Sequence, residues 1–178
     1  MRTINPEASA LLLVDFQARI MPAIDGGASV LANARRLLDA AGMLGLPTLF
    51  TEQNAEGLGP TLAELLPDRT AAVARKMTFD ACRAEGFREM LPTRPDVVVA
   101  GCEAHICVLQ TVLGLLDAGR RVFVVRDALG SRRTESKETA IRRMERHGAE
   151  IVTTEMVVFE WLGSAQHPRF RDALALIK

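Results

Sequence analysis

The chain has 178 residues, 48% of them hydrophobic, which is enough for one domain with a sizeable core. Its 22 basic and 22 acidic residues cancel, so no global charge points to nucleic acid or an anionic membrane as partner. The three cysteines, at 82, 102 and 107, are an odd number and complete no zinc spacing, which excludes a disulfide scaffold and points to a reducing cytoplasm.

The first residues, Met-Arg-Thr-Ile-Asn-Pro-Glu, place a proline and an acid where a signal peptide needs an apolar stretch. No apolar run approaches the eighteen or so residues of a membrane span. These features predict a cytoplasmic protein with no membrane association.

Strand-like apolar runs alternate with helical patterns along the whole chain. The run Ala10 to Val14 ends at Asp15 and reads as a strand covered on both faces. Apolar positions 30, 31, 34, 37, 38, 41 and 44 predict an amphipathic helix from Val30 to Leu44, with Ser29 as N-cap and Gly45 as stop. The second strand is placed at 47–51 and a short third at 71–75. Between them, 54–60 reads as a Gly/Pro loop and 62–66 as a short helix. A helix at 83–91 precedes the fourth strand, 96–100. From Ile106 the apolar period is helical, running to a stop at Gly119. The fifth strand is 121–126, a polar-faced helix follows over 134–147, and the sixth strand is 150–153. Short helices near 155–162 and from Pro168 finish the chain.

This alternation predicts a single domain over 1–178, a three-layer α-β-α fold with a central six-stranded parallel sheet. Arginines at 132–133 and 142–143 are interleaved with Glu135, Glu138 and Glu145, as on a solvated helix face. In doubly wound sheets the ligand site lies beyond the carboxyl ends of the strands. That rule selects Asp15, Glu52 and Gln53, Lys76, the turn 101–107, and Asp127.

Within this set an acid, a lysine and a cysteine could form a nucleophilic centre. Asp15 would take the proton of the Cys107 thiol and return it to a leaving group, while the Lys76 ammonium steadies thiolate and carboxylate. A helix start at Cys107 favours the thiolate and offers unpaired N–H groups to an oxyanion. Each residue has a plainer alternative. Cys107 could be buried filler, Asp15 a turn cap, and Lys76 a surface cation. His105, two residues from Cys107 around a turn, reads as structural or substrate-lining, and His147 and His167 as solvated.

Several stretches together carry a resemblance: Leu-Leu-Val-Asp15-Phe-Gln, Arg75-Lys76, residues 101–111 around Cys107, 125–132 around Asp127, and 153–160 around Glu155. They resemble the isochorismatase-like cysteine hydrolases, from about residue 9 to the C-terminus. Thr51-Glu52-Gln53, Leu58-Gly59 and His167-Pro-Arg-Phe170 are similar to the isochorismatase domain-containing and YcaC-like branch. The resemblance implies a catalytic triad of Asp15, Lys76 and Cys107. It also implies a cis peptide between Cys102 and Glu103, and an oxyanion hole from the backbone N–H groups of Glu103 and Cys107. Phe16, Gln53 and His105 are the substrate-lining candidates.

Two departures narrow the expectation. Nicotinamidases of the family carry an Asp-x-His metal site after the second strand, whereas this chain reads Glu52-Gln53-Asn54. No metal and no cofactor are therefore expected. Isochorismatases that cleave a vinyl ether do not rely on a cysteine nucleophile, so Cys107 favours a small amide-type C–N bond opened through a thioester. The alternatives are vinyl-ether chemistry and a non-catalytic binding protein on the same fold. The expected partner is a small-molecule substrate. Homo-oligomerisation is expected from apolar 156–159 and 161–162, which look surplus to a six-strand core.

Overall fold

Leu11 and Leu13 face one side of the first strand, Leu12 and Val14 the other, and all four are fully buried. A strand covered on both faces needs no polar alternation, which is why the run is continuous. The computed structural model describes residues 2–66 and 71–178; Met1, part of the N-terminal stretch read above, lies outside the described residues. The strands are β1 (Ser9–Val14), β2 (Thr48–Gln53), β3 (Ala72–Lys76), β4 (Asp96–Cys102), β5 (Arg121–Gly130) and β6 (Glu150–Val152). They form one parallel sheet in the order β3-β2-β1-β4-β5-β6. The order reverses between β1 and β4, so the crevice of a doubly wound fold opens beyond the ends of these two strands.

Helices α1 (Gly27–Leu44), α6 (Thr154–Leu162) and α7 (Phe170–Ile177) cover one face, packing on Leu11, Leu13, Val98, Ala100 and Phe123. The other face is covered by the short α3 (Phe87–Met90), α4 (Leu109–Asp117) and α5 (Thr134–Arg146), over Leu12, Val14, Val97, Val99 and Val124. Each fully buried aliphatic side chain contributes about 1.5–3 kcal/mol of transfer free energy. Helix α5 is amphipathic in a polar sense: Ala140, Ile141 and Met144 are its buried residues, and Arg126 pairs with Glu138 across its exposed side.

Several boundaries differ from the sequence expectation. Helix α1 starts one turn early, because Gly26 at φ 63° makes the entry turn, and Ser29 lies inside the first turn instead of capping it. The loop after β2 contains a helical turn, α2 (Ala55–Leu58), capped by the Asn54 side chain on the Gly57 N–H; residues 62–66 form a turn, not a helix. The span 83–91 is a 3-10 turn at Ala81–Arg83 followed by α3. Strand β5 runs four residues beyond its predicted end, with an irregular register opposite Val99 to Gly101 of β4.

The apolar segment behind the oligomer argument is mostly core. Val157, Val158, Trp161 and Leu162 are buried, Phe159 is half-buried, and Met156 is the exposed member. Among the described residues, the large exposed apolar side chains are Met77, Phe79, Met90 and Met156. No helix among the described residues is long and apolar enough to cross a membrane.

Candidate active site

Strand β1 delivers Asp15 at its carboxyl end in a left-handed conformation, φ 53°. Short polar side chains tolerate that region best, and here it turns the carboxylate back over the strand ends. Strand β3 delivers Lys76 from two strands away. The Lys76 Nζ lies 2.7 Å from Asp15 Oδ2, with both side chains essentially inaccessible to solvent. Strand β2, between them, supplies the rest of the cradle. Thr51 Oγ1 donates to Asp15 Oδ1 at 2.6 Å, and Lys76 Nζ donates to Gln53 Oε1 at 3.0 Å.

Gln53 is gripped on all sides. Its Nε2 donates to the Met77 carbonyl, while Gln17 accepts from the Gln53 N–H and donates to its carbonyl. The Gln17 amide also donates to the Gly59 carbonyl, tying the loop after β2 to the end of β1.

Cys107 arrives from β4. Gly101, at φ 154°, crosses so near β1 that a Cβ would stand 2.4 Å from the Val14 carbonyl oxygen. The Cys102–Glu103 peptide is cis, and residues Ala104–Val108 form a π-helical turn before α4 begins. The widened turn, closed by Val108 N–H on the Glu103 carbonyl, carries the Cys107 side chain toward β1 and β3. There the thiol lies beside Asp15 and Lys76, within reach of both charges. Burial first, and then the Asp15 charge, push the thiol up to about 12, against the pull of Lys76. The sequence reading expects a favoured thiolate at this helix start. Burial acts the other way and raises the thiol.

Other strand-end candidates fall elsewhere. Asp127 lies inside β5, where its carboxylate accepts from the N–H and hydroxyl of Thr154 and anchors the start of α6. Glu52 accepts from the Thr61 N–H and hydroxyl, with Arg75 3.6 Å away. Phe16 packs in the core on the α1 side. His105 turns its Nδ1 to Ser131 Oγ at 3.0 Å and lines a cleft of about 430 Å3 with Arg132, Arg133 and Ser136. Neither Phe16 nor His105 joins the Asp15 cluster. A cavity of about 430 Å3 opens beside Lys76, lined also by Asn54, Ala55, Glu56, Arg75 and Met77.

Glu103 sends its carboxylate to the Arg132 backbone N–H and Nε, both at 3.0 Å, which fixes the start of the π turn. Cys82 and Cys102 sit apart, Cys102 within the core under α1 and Cys82 against α4. Thr51 is the cluster member that sequence reasoning passed over; its place one pleat before Gln53, facing the end of β1, is the signal that could have found it.

Fold and cluster define a doubly wound α/β protein whose buried acid, lysine and cysteine meet at the point where the strand order reverses. Residues 9–156 match the isochorismatase domain, and the chain belongs to that family of hydrolase-like folds. It is similar to human isochorismatase domain-containing protein 2, at 36% identity over 178 residues, covering 98% of this chain and 85% of that protein. A structure described as MAR1 ribonuclease from Caenorhabditis elegans is 36% identical, with TM-score 0.93 over 98% of this chain and 92% of that one. YcaC from Pseudomonas aeruginosa is 25% identical, with TM-score 0.90 over 98% and 91%. YcaC from Escherichia coli is 26% identical, with TM-score 0.88 over 99% and 88%.

Proposed function

We propose that this protein is a metal-independent cysteine hydrolase that opens a small amide-type C–N bond through a thioester on Cys107. The observation that carries the reading is the buried Asp15–Lys76 pair at 2.7 Å with the Cys107 thiol set beside both members. Taking two charges out of water costs several kcal/mol per ion, so a pair set against a thiol beyond the strand ends is weak as a stability device and well suited to chemistry.

Asp15 takes the thiol proton as Cys107 Sγ bonds to the substrate carbonyl carbon. The oxyanion that forms is received by the backbone N–H groups of Glu103 and Cys107. Collapse of the intermediate breaks the C–N bond, and the proton on Asp15 goes to the departing amine. Water, deprotonated by Asp15, then attacks the thioester, releasing the acid and restoring the thiol. Lys76 balances the charge on sulfur and carboxylate throughout, and no step requires a metal or cofactor. The Pseudomonas aeruginosa YcaC structure is described as holding covalent acrylamide, an electrophilic amide, which supports a reactive nucleophile on this fold.

Intact-protein mass spectrometry after incubation with a library of small amides tests the reading. A mass increase on the native chain, mapped to Cys107 and lost in Cys107→Ala, is expected. Turnover that survives Cys107→Ala would replace it with vinyl-ether chemistry or another route. Absence of any adduct or turnover would leave a binding protein.

The ribonuclease description of the Caenorhabditis elegans structure supplies a second reading, RNA cleavage, favoured by the cleft of His105, Arg132, Arg133 and Ser136. RNA cleavage lost in His105→Ala and retained in Cys107→Ala would establish it. Self-association completes the proposal. The Escherichia coli YcaC structure is described as octameric, and exposed Met77 and Phe79 flank the site here, so light scattering is expected to give a mass above one chain.

A further inference from the structure

Strand β2 contributes none of the three reacting groups, yet two of its side chains hold two of them. Thr51 is fully buried, and its hydroxyl is spent on Asp15 Oδ1 at 2.6 Å. Lys76 occupies the other oxygen, so the carboxylate is pinned at both ends and cannot rotate about its own axis. The ammonium donates to Asp15 Oδ2 and to Gln53 Oε1, and its charge acts on the neighbouring Cys107 sulfur. The Gln53 amide admits one orientation. Its nitrogen must donate to the Met77 carbonyl and its oxygen must therefore face Lys76. Gln17 fixes the Gln53 main chain through both its N–H and its carbonyl, so the residue cannot swing away.

We propose that Thr51 and Gln53 are positioning residues, Thr51 aiming the Asp15 carboxylate at Cys107 and Gln53 holding the Lys76 ammonium against the sulfur. The assignment rests on the hydrolase reading above. It also moves Gln53 from a substrate-lining role to one behind the reacting groups. Geometry errors of a fraction of an ångström in such a constellation are enough to slow a reaction severely, which is the reason for so much buried hydrogen bonding in one strand end.

The charged groups facing the Cys107 thiol are Asp15 and Lys76, so its alkylation reports their placement without a known substrate. The rate of iodoacetamide labelling of Cys107 is measured by peptide mass spectrometry from about pH 7 to about pH 11. Two reference variants calibrate it: Asp15→Asn removes the proton acceptor and Lys76→Met the counter-charge of the thiolate, so both should slow labelling. With Thr51→Val the carboxylate loosens, and labelling at about pH 8 should fall about threefold, part of the way to the Asp15→Asn rate. Gln53→Leu frees the ammonium, and labelling should fall about threefold, toward the Lys76→Met rate. Thr51→Ser keeps the hydroxyl and should match the native profile; Thr51→Ala serves in place of the valine should that variant not fold.

Native rates in Thr51→Val and Gln53→Leu, with the reference variants shifted, would overturn the positioning roles and leave the hydrolase reading intact. A Thr51→Ser profile as displaced as that of Thr51→Val would overturn them too, since packing and not the hydroxyl would then be responsible. Unshifted rates in Asp15→Asn and Lys76→Met would instead sink the underlying reading.

Discussion

Replacing Lys76 with methionine removes the counter-charge of a carboxylate that has no contact with water. The Asp15 side chain is 0% exposed, and its ammonium partner sits 2.7 Å away at 1%. Methionine fills much of the lysine stem, so little cavity is left. The change is therefore largely electrostatic. Breaking a buried pair by deleting one partner costs about 3–5 kcal/mol, because the remaining charge is stranded. Gln53 Oε1 loses its donor as well, adding about 1 kcal/mol. For a domain of this size, 1 kcal/mol moves Tm by about 2–4 °C, so Lys76→Met should melt about 8–24 °C below the native protein. Circular dichroism melts and urea titrations at about pH 7 measure it. The double variant Asp15→Leu, Lys76→Met replaces both charges with apolar groups and should recover about 2 kcal/mol or more of the loss. A Lys76→Met penalty below about 1 kcal/mol, or a double variant as unstable as the two single losses summed, would refute the buried-pair argument.

Alkaline stability follows from the thiols. Burial pushes Cys82 and Cys107 up to about 12 and Cys102 higher still, whereas an unfolded chain titrates its thiols near 9. Between those limits the folded state keeps protons that the unfolded state has lost, so stability is full below about pH 9 and falls as pH rises toward 12. The Tm should drop between about pH 8 and pH 10.5, and drop less in Cys82→Ala; a flat profile would contradict the burial assigned to these sulfurs. At Gly101, alanine would drive a Cβ to 2.4 Å from backbone at a φ of 154°. Gly101→Ala should cost about 3 kcal/mol or more, read as poor soluble yield or a depressed urea midpoint, and a native midpoint would show that β4 can move away from β1.

The sheet was legible because most strands centre on a short apolar run, and Asp15 and Lys76 stand where the runs of β1 and β3 end. At the strand-to-helix turn alone Cys107 reads better as buried filler, and only Asp15, Lys76 and the surrounding motifs make it a reactive candidate. Its ionisation was not legible, because the turn predicts a depressed thiol while the depth of burial is a property of the packed chain. Local pattern misled where glycine geometry decided the boundary: Gly26, and not Ser29, begins the first helix. Asp127 looked like a strand-end acid because β5 was drawn short; the extra residues of β5 place it where it can serve α6. Thr51 and Gln17 stayed hidden for a different reason. Their partners are 36 residues distant in the chain, and side-chain hydrogen bonds over that span leave no periodicity to read.

The Lys76 side chain reaches Asp15 across β2, and Cys107 meets them from β4 on the far side of β1. Four neighbouring strands, three on one side of the reversal and one on the other, must be docked before the three groups touch. The site therefore has no partial form: a sheet missing β3 has no ammonium, and one missing β4 has no thiol. Loss of labelling control at Cys107 and loss of the sheet's dichroism should share one denaturation midpoint, making this cluster an internal gauge of cooperative assembly.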